Sequence, residues 1–417
     1  MKRAYRGVFV VLALCAAGLV FVMPVVASPA GQDHDGSFRR LLSFVPAPAT
    51  PQELIGIWIS YTDPGAVRRL HGYTYSHGGE LPERVRDDEA NPTPEQLRAR
   101  HWAWDMAAGD VPKAAGATHI PAWHATFGYD LFSIERTLGI GQPPDDYAVI
   151  GLAPDTATIG GKLVAAGYEQ EPAPHNFDGT LYRKFEDNQQ RIADPVGRMA
   201  LSSMNRLVLG DDLLVAGRAT DVVSNALAVH TGAVLSAASV PQIAQVVGAI
   251  QDPTLVPGTT LISSSLLGLR WAPIGGVPVD VLVQAQSPEE ARRAVEQSMQ
   301  AAAAMPILPP YIMFALAYHR GADQAERFQT ITLLYPDEEV ARAAGAALTP
   351  RIAAYRDARE GKPLIGGEVV EQLEPVVRSG EGGATVTARL RLSPEHPNRF
   401  YSRLYSRDLG FLAPGGS

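Results

Sequence analysis

Apolar and polar positions follow a regular period through the later part of the chain. Residues 277–286 form an apolar run that meets Ser287-Pro288-Glu289-Glu290. A serine N-cap, a proline in the first turn and a glutamate three residues past the cap predict a helix start. Ala291, Ala294, Val295, Met299 and Ala302 then recur at helical spacing. Residues 312–318 and 328–334 predict two strands joined by 319–327, and Pro336-Asp337-Glu338-Glu339 opens a second helix. Residues 384–392 alternate strictly, with Val386, Ala388, Leu390 and Leu392 on one face of a closing strand.

The middle of the chain repeats that order. Residues 147–152 predict a strand, and 156–166 a helix stopped by Gly167. A strand at 180–185 follows. Residues 206–209 and 213–216 predict a hairpin around Gly210-Asp211-Asp212. Helices are expected from Thr220 and from Val240, with Pro241 in the first turn of the latter, and then a strand at 259–267. Both stretches read βαββαβ, the split-βαβ or ferredoxin-like order, which predicts an α+β fold with antiparallel sheets in two tandem lobes. The lobes are expected at 147–272 and 273–417, after a linker at 28–50 and an extension of the first lobe at 51–146.

The first residues change the picture of where the protein works. Lys2, Arg3 and Arg6 precede an uncharged run from Gly7, apolar to Met23, with small residues at 25–28. This predicts a secretory signal peptide at 1–27, or an uncleaved membrane anchor, and an extracytoplasmic remainder. Cys15 is the single cysteine and lies inside that run, so disulfide and thiol chemistry are excluded from the exported part. A net charge of -8 argues against a nucleic-acid partner. The arginines at 389, 391, 399, 403 and 407 read as a solvated basic face, with anionic lipid or a wall polyanion as the functional alternative.

No phosphate-binding loop, dinucleotide fingerprint, His-Glu-x-x-His or Gly-x-Ser-x-Gly motif is present. The residues with chemistry gather in the irregular stretch 71–132. It holds five of the ten histidines (His71, His77, His101, His119 and His124) and three of the five tryptophans. Trp102, Trp104, Trp123 and Tyr129 form a candidate ligand platform, because indole and phenol faces pack against apolar or sugar-like surfaces. His119, His124, His71 and His77 are the alternative candidates, as zinc ligands. Aromatic clusters also commonly fill space, which makes a Trp-rich local core the competing expectation. The pattern therefore predicts a non-catalytic, cofactor-free extracytoplasmic protein that binds a small molecule or a protein partner, with an exported hydrolase or metalloenzyme as the alternative.

Overall fold

The computed structural model describes residues 37–50, 53, 57–66, 120–130, 132–141, 145–152, 156–251, 256–264, 285–321, 326–356, 361–393, 403 and 409–415. In chain order these give α1 (Ser37–Leu42), β1 (Trp58–Thr62), α2 (Ile120–Phe127), β2 (Ile134–Ile140), β3 (Tyr147–Leu152), α3 (Thr156–Ala165), β4 (Glu169–Pro172), β5 (Thr180–Arg183), α4 (Pro195–Ala200), β6 (Arg206–Leu209), β7 (Leu213–Gly217) and α5 (Thr220–His230). They continue with α6 (Pro241–Ile250), β8 (Val256–Ser264), α7 (Pro288–Ala303), β9 (Met313–Arg320), β10 (Arg327–Tyr335), α8 (Glu338–Ala354), β11 (Val369–Gln372), β12 (Val376–Gly380) and β13 (Gly383–Leu392). Residues 36–417 form one compact unit.

The fold is α+β with antiparallel pairing. Among the described residues thirteen strands join one sheet in the order β11-β13-β10-β9-β8-β1-β2-β3-β7-β6-β5-β4, with β12 also on β13. The ferredoxin-like order is not reproduced. That order places two parallel strands at the centre of each lobe, whereas every ladder between described strands is antiparallel. The β8–β9 ladder and the insertion of β1 beside β8 carry the sheet across residue 272 without a break. The strand expected at 277–286 lies outside the described residues.

Both faces of this sheet are covered, as alternating strand residues require. On one face Ile59, Leu138, Val149, Val215, Ala315 and Leu334 meet Leu41 and Leu42 of α1, Val223 and Leu227 of α5, and Ile243, Val246 and Val247 of α6. The other face has two cores. Ile150, Leu207 and Leu214 pack under Trp123, Ile159, Leu163 and Val196 from α2, α3 and α4. Phe314, Leu316, Leu333 and Val386 pack under Ala344, Leu348 and Ile352 of α8. The stretch expected as a linker up to residue 50 therefore carries core residues from Phe38 onward.

Helix starts follow their sequence signals. Ser287 Oγ accepts from Glu290 N at 3.2 Å, and the Glu290 carboxylate accepts from Gln286 N at 2.8 Å, a reciprocal cap on α7. Asp337 accepts from Val340 N and caps α8. Near the other end of α8, Arg351 is fully buried and makes no carboxylate pair among the described residues. Its guanidinium donates to the carbonyls of Phe411 at 2.8 Å, Ala413 at 2.7 Å and Pro306 at 2.6 Å, and more weakly to Gly415. Tyr311 Oη donates to the Leu412 carbonyl at 3.0 Å. One cation thus fastens the segment around 409–415 over the second core. Arg403, expected on a solvated face, instead forms a buried bidentate pair with Glu368, both contacts at 2.9 Å.

Replacing Arg351 by Met strips the donor from these buried carbonyls. Urea unfolding of Arg351→Met should show a loss of about 3–5 kcal/mol, together with faster amide hydrogen exchange at Leu412 and Ala413. An unchanged unfolding midpoint would show that the clamp contributes nothing.

Candidate functional site

The aromatic platform expected around residue 123 is placed inside the molecule where it is described. Trp123 is 0 % and Tyr129 1 % exposed. Trp123 packs against Phe127 at 4.4 Å between ring centroids and edge-on to Tyr129 at 6.1 Å, in the core beneath α2 and α3. Burial drives the Tyr129 phenol far above its ordinary value. These two side chains serve packing, not a surface. Trp102 and Trp104 lie outside the described residues.

Of the four candidate metal ligands, His71, His77 and His119 also lie outside the described residues. His124, on the last turn of α2, has Nδ1 3.3 Å from Asp130 Oδ2. Asp130 is fully buried, and its other oxygen accepts from the backbone N–H of Phe132 and Ser133 and from Ser133 Oγ, between 2.9 and 3.2 Å. The carboxylate is thereby fixed by the turn that follows α2, within ion-pair distance of the imidazole. Among the described residues no group of three or more His, Cys, Asp or Glu could hold a metal ion.

A concave site of about 350 Å³ lies elsewhere, along α6. Its floor is the outer side of the helix: Pro241, Ala244, Gln245, Gly248 and Ala249. One wall is Arg39 of α1; the other is the end of β12 and the turn after it, with Arg378, Ser379, Glu381 and Gly382. Arg39 and Arg378 are exposed. The floor is shallow-sided because Ala244, Gly248 and Ala249 project almost nothing. A Cβ placed on Gly248 would come 4.0 Å from Arg39 Nη2, so the guanidinium lies over this glycine.

The turn is held against the helix by its lack of side chains. A Cβ on Gly382 would sit 2.3 Å from the Pro241 carbonyl oxygen, and one on Gly380 would sit 1.9 Å from Gln245 Oε1. Gly383 adopts φ +120° and would meet the Tyr335 carbonyl oxygen at 2.3 Å. With glycine at all three positions the hairpin closes on α6, and Gln245 Nε2 donates to the Arg378 carbonyl at 3.2 Å. Ser379 Oγ donates to Glu338 Oε2 at 2.5 Å and ties the same turn to α8.

His230, the last residue of α5, packs on the chain just after α1. Its ring stacks on Phe44 at 4.0 Å and 6°. Ser43 Oγ donates to the Arg40 carbonyl at 2.7 Å and lies 2.9 Å from His230 Nδ1, which makes the imidazole the donor of the second bond. Arg40 forms an ion pair with Asp212 at 3.0 Å, and its neighbour Arg39 lines the groove. None of these groove residues stood out in the sequence. The Gly-Glu-Gly-Gly run at 380–383 was the available signal, since clustered glycine marks close backbone approach.

No family model and no curated protein matches this chain. A solved structure described as crystal form I of TP0453 aligns with 88% of this chain and 97% of that one, at 8% identity and a TM-score of 0.32. That likeness is too slight to carry the fold or a function. Among the described residues no helix is long and apolar enough to cross a membrane, and the apolar run at 7–23 lies outside them.

Burial, and next the Arg40 guanidinium, push the His230 imidazole below its ordinary value of 6.5, with Asp212 pulling the other way. The ring is then harder to protonate folded than unfolded. Stability should be unaffected by this group at neutral pH and above, fall as pH drops through about 6.5, and level off below the folded value. Urea midpoints between pH 5 and 8 check this: His230→Gln should flatten that part of the profile, and an identical slope in the variant would remove His230 as its source.

Proposed function

We propose that this protein is an extracytoplasmic binding protein, secreted or held at a membrane by its N-terminal segment, which takes a small ligand in the α6 groove and performs no chemistry on it. The carrying observation is the groove itself. Its floor is low along Ala244, Gly248 and Ala249, and Arg39, Gln245, Arg378 and Glu381 supply polar groups around it. Its volume falls at the lower end of small-molecule sites, which span about 300–1,000 Å³. The charged and then apolar N-terminus supports export. The negative charge of the chain supports a partner other than nucleic acid.

Two measurements test this. Protease added to intact cells should degrade the folded region, or the protein should be recovered from the medium; a protein confined to the cytosol contradicts the reading. Native mass spectrometry of protein from that compartment should show a small bound mass that Gly248→Leu, which fills the groove, removes.

The second reading, an exported hydrolase or metalloenzyme centred on residues 71–132, is favoured by one observation. A metal-binding histidine usually gives its other ring nitrogen to a carboxylate, and Asp130 stands at Nδ1 of His124. Metal analysis of purified wild type and His124→Ala separates the two. Stoichiometric zinc that disappears in the variant would establish a metalloenzyme, and its absence from both would end the metalloenzyme form of this reading.

A further inference from the structure

We infer that the α6 groove recognises a zwitterion of the α-amino acid class, an assignment that rests on the groove being the ligand site. The reason is a pair of opposite charges left open on one wall. Arg378, in β12, and Glu381, in the turn after it, both line the groove and both are exposed. Among the described residues neither the Arg378 guanidinium nor the Glu381 carboxylate forms an ion pair or a side-chain hydrogen bond, with the other or with any third group. Charges around them are taken. Arg391 of β13 pairs with Glu371 at 2.7 Å. Glu338 of α8 pairs with Arg342 and also accepts from Ser379 Oγ. The backbone that carries the two open charges is fixed. The Arg378 carbonyl accepts from Gln245 Nε2 at 3.2 Å and from Thr385 Oγ1 at 3.3 Å, and Gly380 and Gly382 let the turn press onto α6.

One open charge of each sign sets the ligand class. A net anion entering this wall meets Glu381, and a net cation meets Arg378, so each is opposed. A molecule with one carboxylate and one ammonium group satisfies both. The guanidinium fork takes a carboxylate as a bidentate pair. The Glu381 carboxylate accepts from an ammonium group, which offers three donors. Both charges face one cavity of about 350 Å³, so the groups that meet them sit on one small molecule. Ala244, Gly248 and Ala249 leave a low apolar floor for that molecule's side chain.

The test is calorimetric titration of the full protein, freed of bound small molecules, with each of the twenty standard amino acids. The tightest binder is then compared with its own N-acetyl and carboxamide derivatives. At least one amino acid should bind, and blocking either end should weaken it about tenfold or more. Arg378→Gln and Glu381→Gln should each weaken the unblocked amino acid about fivefold or more. A cross-check ties each charge to one end of the ligand. Arg378→Gln should leave binding of the carboxamide unchanged, and Glu381→Gln that of the N-acetyl derivative. Both residues lie at the surface, and urea midpoints confirm that the variants stay folded. Binding by none of the twenty, equal binding of the blocked derivatives, or undiminished binding to the Arg378→Gln/Glu381→Gln protein overturns the inference. The source of failure is separable. If Gly248→Leu still displaces the bound mass seen by native spectrometry while no amino acid binds, the groove is a binding site for another chemistry. If Gly248→Leu displaces nothing, the groove is not the ligand site.

Discussion

A thirteen-stranded antiparallel sheet has two faces, and in this sequence neither can be left to water. Strands β9 and β10 are buried at every position from end to end. The need to cover both faces dictates where each helix goes. Helices α1, α5 and α6 close one side, and α2, α3, α4 and α8 close the other. Because α6 packs on strands from the later part of the sheet while α5 packs on those from the earlier part, one apolar layer bridges the two. The groove arises at the margin of that layer, where α6 meets the β12–β13 turn.

Much of this was legible in the sequence. The strands at 147–152, 206–209, 213–217 and 383–392 stand where alternation and turn residues predict them. The caps at Ser287 and Asp337 read directly from the residues that make them. What was not legible is how the strands join. Element order fixes neighbours only when local hairpins decide the pairing, and here β1 reaches across more than 190 residues to pair with β8. Such pairing is decided by burial of the whole surface and leaves no local mark. β4, Glu-Gln-Glu-Pro, is polar because it is the sheet edge, where alternation is not required. β2 was hidden for another reason: Glu135, Arg136 and Thr137 interrupt its apolar pattern, and a bulge shifts its register against β3.

The candidate site divides in the same way. Composition drew attention to tryptophan and histidine between 71 and 132, yet Trp123 and Tyr129 are core residues, and His124 is held by a carboxylate that the following turn presents. Aromatic density reports packing as readily as binding. The groove along α6 has the opposite signature. It is made of residues with little side chain and of two arginines some 340 positions apart in sequence, Arg39 and Arg378. No spacing rule connects them, and the fold alone brings them to one cavity.

The most direct test of the central claim, that the α6 groove is where this protein holds a ligand, is an amide-resolved NMR titration of ligand-stripped protein with the small-molecule extract of its native compartment. The account predicts saturable shifts at Gln245, Gly248, Arg378 and Gly382, with the amides around His124 unmoved. Shifts confined to the His124 region, or spread over the surface without saturation, would contradict it.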